Sequence, residues 1–207
     1  ELIETRRDFH RHPEMGLEEV RTSGIVAERL RAIGFEDVRT GIGVTGVKAV
    51  LRGGRPGKTL LLRADMDALP IEEQNEVEYR STVPGVMHDG HTAILMSAAR
   101  ILWARRDEIP GTIVFCFQPA EEGRGGARAM IADGVLEDPQ VDAAIGLHLM
   151  SSYSVGKAVA IPGPAMSGVH GFSATIQGRG GHGASPHTTV DALLIAAEMV
   201  TTLQSIV

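Results

Sequence analysis

The apolar run Thr112-Ile113-Val114-Phe115-Cys116-Phe117 leads straight into Gln118-Pro119-Ala120-Glu121-Glu122-Gly123, and this junction constrains the fold more than any other part of the chain. The run reads as a buried strand. Two adjacent carboxylates at its mouth are costly unless they are paired, hydrogen-bonded or bound to a cation. Open α/β sheets gather their ligand sites at such strand ends. Three further apolar runs end in ionisable groups: Leu60-Leu61-Leu62-Arg63-Ala64-Asp65-Met66-Asp67, Val86-Met87-His88-Asp89-Gly90-His91 and Ala144-Ile145-Gly146-Leu147-His148. One such ending would mean little; together these Asp, Glu and His endings suggest a metal-dependent hydrolytic site.

Composition excludes several other classes. A chain of 207 residues with 43% hydrophobic and 22% charged residues can bury a substantial core, as one large domain or one domain and part of another. A net charge of −6, with basic residues scattered and pairs such as Arg6-Arg7 read as solvated helix faces, argues against nucleic acid as a partner. No apolar stretch approaches the roughly 18 residues of a membrane span, and the N-terminus shows no signal-peptide core. The chain begins with Glu1 rather than Met, so its true start is expected upstream. The single cysteine, Cys116, excludes an internal disulfide and reads as an inert core thiol, and a cytoplasmic location is the expectation.

The patterning predicts helices over Leu2–His10, Glu18–Ile33 (with Gly34 as the terminating glycine), Thr92–Arg106 and about Gly126–Ala132. Strands are predicted over Val44–Leu51, Thr59–Met66, around Phe115, and near Ala143–Leu149 and Val155–Ile161, with a turn at Gly53–Gly57. The segment Ile161–Gly168 reads as a hinge. Beyond it come an alternating strand, Phe172–Gln177, a Gly-rich loop, and an apolar helix from about Val190 to Val207. One strand and one helix cannot bury each other well, so this second domain is expected to be incomplete.

Each motif has a functional and a structural reading. In Glu121-Glu122, one carboxylate can ligate a metal while its neighbour takes a proton from water; alternatively the pair complements a helix N-terminus. Asp65-Met66-Asp67 places two carboxylates on one side of a strand end. These could serve a metal site, form an Asx-type turn, or belong to a phosphoryl-transfer enzyme, although no Walker-type loop supports the last. His88 and His91 lie three residues apart before a helix and suit Zn, Mn, Co or Ni; otherwise one caps the helix and the other is a buried, hydrogen-bonded histidine. His148 is open to the same two readings. Gly178–His187 is a Gly-rich loop whose imidazoles can donate to an anion or carbonyl oxygen, or a flexible turn, and it lacks dinucleotide-binding spacing.

Taken together, the motifs resemble the M20 metallopeptidase family, in its branch of N-acyl-amino-acid amidohydrolases, hippurate hydrolases and auxin-conjugate hydrolases. Five blocks carry the resemblance in family order: Arg6–Glu14, Arg63–Ile71, Phe117–Gly123, Gly146–His148 and Gly180–His187. The resemblance implies an α/β fold, a mixed sheet flanked by helices in a zinc-peptidase-like catalytic domain over residues 1–166. The start of a smaller α+β lid or dimerisation domain would occupy residues 167–207. It implies hydrolysis of the amide of an N-acyl amino acid or related small amide by metal-activated water. Glu121 would be the general base and Asp67 would orient it or a neighbouring ligand. Glu122, His148 and His88 would be ligands to divalent metal ions, two per site, of Mn, Zn, Ni or Co. His182 would bind substrate, often in the other subunit of a homodimer formed through the lid.

Two departures qualify that resemblance. The family block Met-His-Ala-Cys-Gly-His-Asp-Gly-His-Thr-Ala appears here as Met87-His88-Asp89-Gly90-His91-Thr92-Ala93, four residues short and without the family's cysteine ligand and one histidine. His88 aligns equally with either flanking histidine. The family also continues past the lid to a further histidine ligand. Both gaps are expected to record disorder in a metal-free structure, not the natural sequence, since a loop that loses its metal loses the interaction that ordered it; an intact mass near 22.0 kDa would sink that expectation. The alternative is a relic that keeps the fold without a competent site.

Overall fold

A computed structural model describes residues 1–168 and 171–206. The chain divides into two compact units, Glu1–Ser154 and Val155–Val207, whereas the sequence reading puts its domain boundary after Met166. The first unit runs α1 (Leu2–Arg11), α2 (Val20–Ile33), β1 (Asp37–Ile42), β2 (Gly46–Arg52), β3 (Arg55–Asp65), β4 (Ala68–Leu69), β5 (Val86–Met87), α3 (Asp89–Ala104), β6 (Pro110–Gln118), α4 (Gly126–Ala132) and β7 (Ala143–Gly146). Five strands form one sheet in the order β1-β2-β6-β3-β7. Strands β1, β2 and β6 pair antiparallel, and β3 runs parallel to both β6 and β7. This is the mixed α/β sheet that the resemblance implies.

Central strand β6 shows why its sequence is apolar without a break. Ile113, Phe115 and Phe117 pack with Phe9 of α1, Val26 and Leu30 of α2, and Leu95 and Ala99 of α3. The alternate residues Val114 and Cys116 pack with Leu61, with Met130 of α4 and with Val135. Both faces of the strand are covered, so neither set can be polar. Burial pushes the Cys116 thiol up to about 12, which keeps it protonated and inert as expected. Helix α2 stops at Gly34, with φ 122°, where a Cβ would stand 2.8 Å from the Trp103 ring. That glycine serves as a left-handed terminus and as a close-packing point at once.

Sequence patterning missed β1. It is an edge strand, largely exposed and polar, and it exists because β2 offers it a ladder from Asp37↔Val50 to Ile42↔Gly46. Two predicted strands do not form. Val155–Ile161 and Phe172–Gln177 are irregular; alternation favours a strand only where a neighbour supplies hydrogen bonds, and neither segment has one among the described residues. In the second unit, α5 (Ala192–Leu203) is capped by Asp191, whose carboxylate accepts the Leu193 and Leu194 amides at 2.9 and 3.2 Å. The predicted end of this helix at Val207 lies outside the described residues. No helix among the described residues is long and apolar enough to cross a membrane.

Candidate active site

Three parallel strands deliver their C-terminal ends to one edge of the sheet. Asp65 is in register with Gln118, and Arg63 with Gly146, so the segments leaving β3, β6 and β7 emerge side by side. They carry Asp67, Glu121-Glu122 and His148. The short antiparallel pair β4–β5 then brings the start of α3 to the same edge, where the His88 amide bonds the Asp67 carbonyl at 3.2 Å. The chain runs without a break from Met87 through His88 into α3.

Backbone contacts fix the carboxylates. Asp67 is fully buried, and its Oδ2 accepts the Glu122 N–H at 2.9 Å. His88 donates from Nδ1 to the Asp67 carbonyl at 3.1 Å, which leaves Nε2 facing Glu122 Oε1 at 3.5 Å. The rings of His88, His91 and His148 cluster, with centroids 5.2 Å apart for His88–His91, 6.2 Å for His88–His148 and 4.6 Å for His91–His148. His148 donates from Nδ1 to the Leu149 carbonyl at 2.8 Å, leaving its Nε2 without a hydrogen bond among the described residues.

His91 is a different case. Its Nδ1 donates to Asp65 Oδ1 at 2.6 Å, and its Nε2 accepts the Leu149 N–H at 2.8 Å. Both ring nitrogens are committed, which makes it the buried, satisfied histidine that the sequence leaves as an alternative. Burial drives the Asp65 carboxyl upward, but the His91 hydrogen bond and the Arg63 charge outweigh it and hold the group below its ordinary value. The helix-capping alternatives fall away. His88 makes no side-chain cap hydrogen bond, and the first turn of α4 contains no acid, so Glu121-Glu122 precedes that helix without complementing its dipole.

The electrostatics suit a cation. Asp65, Asp67, Glu121 and Glu122 crowd one strand edge, and burial followed by the Glu121 charge raises the Glu122 carboxyl above its ordinary value. Asp67 Oδ1 and Asp65 Oδ2 are buried without a hydrogen-bond partner among the described residues, although Arg63 Nη1 stands 3.3 Å from the latter. Imidazole and carboxylate donors match Mn, Co, Ni or Zn in kind. In number the shell is incomplete: among the described residues no three His, Cys, Asp or Glu side chains converge on one point. His182 belongs to the second unit and is exposed there, with its Nδ1 accepting the Ala184 N–H at 3.1 Å.

Comparison with known proteins decides the family. The model of peptidase family M20/M25/M40 matches residues 61–202, a span that contains the C-terminal half of β3, Glu121-Glu122 and His148. The chain belongs to this family. It is 45% identical over 212 positions to the N-acyl-L-amino acid amidohydrolase of Geobacillus stearothermophilus, covering 100% of this chain and 56% of that protein. The crystal structure of an aminohydrolase-type protein from methicillin-resistant Staphylococcus aureus superposes with a TM-score of 0.81 at 38% identity, over 99% of this chain and 55% of that one. The Bacillus subtilis YXEP protein, described as a dinuclear metal binding peptidase of family M20, gives a TM-score of 0.70 at 40% identity, over 75% of this chain and 44% of that one. The chain thus spans about half the length of the curated relatives it matches. The Geobacillus alignment needs 212 positions for 207 residues, so that relative carries residues this chain lacks.

Sequence reasoning undervalued two residues. Asp65 and His91 form a buried hydrogen-bonded pair at the sheet edge, and the only sequence signal was their place in motifs already singled out.

Proposed function

We propose that the chain carries the sheet-edge portion of a site hydrolysing the amide of N-acyl amino acids or related small amides. The observation that carries this reading is the gathering of Glu121, Glu122, Asp67, His88 and His148 at one end of three parallel strands, with Asp67 Oδ1 left unpartnered in the interior. His88, Glu122 and His148 would hold divalent metal, and the dinuclear description of the Bacillus subtilis relative supports two ions per site. When bound, such an ion supplies Lewis-acid polarisation of the scissile carbonyl and makes the attacking water more acidic.

The chain's own groups do the rest. Glu121 takes the proton of the attacking water and passes it to the leaving amine, yielding a carboxylic acid and a free amino acid. Asp67 holds the Glu121-Glu122 turn through the Glu122 amide. Asp65 and Arg63 keep His91 and Gln118 in place beneath it. His182 is assigned to substrate binding, and a homodimer through the second unit is part of the same reading.

A second reading, a relic without a competent site, is favoured by one observation: no three donor side chains converge among the described residues. One experiment separates the two. N-acetyl and N-benzoyl amino acids are incubated with the protein as purified and after addition of Mn, Co, Ni or Zn, and released amino acid is measured. Metal-dependent release that Glu121→Gln removes supports the hydrolase; no release under any condition supports the relic.

A further inference from the structure

We propose that Glu19 is a positioning residue for Glu121 and Glu122, a role that rests on the hydrolytic reading of their site. Glu19 precedes α2 and is 0% exposed, so it cannot touch substrate. A buried carboxylate needs partners, and no Lys, Arg or His pairs with it among the described residues. Its oxygens instead accept two neutral donors: the Thr45 hydroxyl at 2.5 Å and the backbone N–H of Ala120 at 2.8 Å, a residue 101 positions further along the chain.

Ala120 explains the expense. It has φ 50°, a left-handed conformation that a residue with a Cβ adopts only when its surroundings enforce it. This bend turns the chain out of β6 immediately before Glu121. Its N–H is tied to Glu19, and its carbonyl accepts the Gly126 amide at 3.0 Å. Gly16 makes the arrangement possible, since a Cβ there would lie 3.0 Å from the Ala120 Cα. With Asp67 holding the Glu122 amide from the other side, the catalytic pair is suspended between two buried carboxylates, of which Glu19 sets the turn.

Hydrogen exchange and kinetics on the full chain test this. Glu19→Gln keeps one acceptor for Ala120 and a donor for Thr45, whereas Glu19→Leu offers neither. The expected result is Ala120 amide exchange at least about tenfold faster in Glu19→Leu, with the Phe115 amide unchanged and the Gln variant close to wild type. The kcat of the Leu variant should fall about 100-fold with little change in KM, and recover in Gln. Unchanged Ala120 exchange, or faster exchange with unchanged kcat, would overturn the proposal. Should Glu19→Leu fail to fold, Glu19→Asp, whose carboxylate falls one methylene short of Ala120, takes its place with the same expectations. Were the wild type inactive on every amide, the hydrolytic reading would fall and Ala120 exchange alone would decide whether Glu19 holds the turn.

Discussion

Two clusters of histidine and carboxylate meet at the adjacent residues His88 and Asp89, and they differ in how completely they are satisfied. At the first, His10 is buried between Asp89 Oδ2 at 2.6 Å and Glu73 Oε1 at 3.0 Å, with Arg6 also on Asp89 at 3.0 Å. Each ring nitrogen of His10 therefore faces a carboxylate oxygen, Nδ1 that of Asp89 and Nε2 that of Glu73. Glu73 additionally takes the Ser81 amide at 2.8 Å. This network is closed. At the second, one residue before Asp89, His88 and Glu122 face each other without a hydrogen bond, His148 keeps a free nitrogen, and Asp67 keeps an unpartnered oxygen. Buried polar groups that are fully paired hold a structure together, while those left open are where a ligand gains most. Similar residue types therefore form a clamp in one place and, on the proposed reading, a site in the other.

That contrast can be broken from either side. The largest effect is expected at the open cluster: Glu121→Gln should lower kcat by about 10²–10⁴-fold while thermal unfolding stays near wild type, because Glu121 is exposed. A comparable loss of stability would make it a structural residue instead. At the closed cluster the pattern should reverse. His10→Ala removes one partner from each of two buried carboxylates and should cost about 3–5 kcal/mol in denaturant unfolding; a cost below about 1 kcal/mol would show that the clamp is not closed.

The closed cluster also has a pH signature. The Ser81 amide, then the His10 hydrogen bond, hold the Glu73 carboxyl down at about 2 from an ordinary 4.5. The unfolded chain thus takes up this proton first as pH falls. The contribution is complete above about 4.5 and is lost progressively toward about 2. Acid titration of stability should show this limb in wild type and lose much of it in Glu73→Gln. The smallest effect sharpens the boundary between the clusters. Thr92 donates to the Asp65 carbonyl at 2.7 Å, and Thr92→Val should cost about 1 kcal/mol with kcat little changed.

What the sequence revealed follows the same division. Strand ends were legible because an apolar run that stops on Asp, Glu or His is visible without knowing the sheet order, and Gly34 and Gly126–Ala132 carried local signals strong enough to place helix limits. The clamp was invisible. His10, Glu73 and Asp89 are separated by 63 and 79 residues, and nothing local in any of them announces the others. Glu19 and Ala120 pose the same problem across 101 residues. Val155–Ile161 and Phe172–Gln177 failed for the converse reason: their local pattern was right for strands, but strands are made by neighbours. Arg6, read as a solvated helix residue, is drawn to Asp89 by a contact of the same long-range kind.

The most direct test of the contrast is metal content after equilibrium dialysis against Mn, Co, Ni or Zn, for wild type, Glu122→Ala and Glu73→Gln. The account predicts metal retained by wild type and by Glu73→Gln and lost from Glu122→Ala, since only the open cluster has donors to give. Wild-type protein that retains none of these metals, or a Glu122→Ala variant that retains as much as wild type, would contradict it.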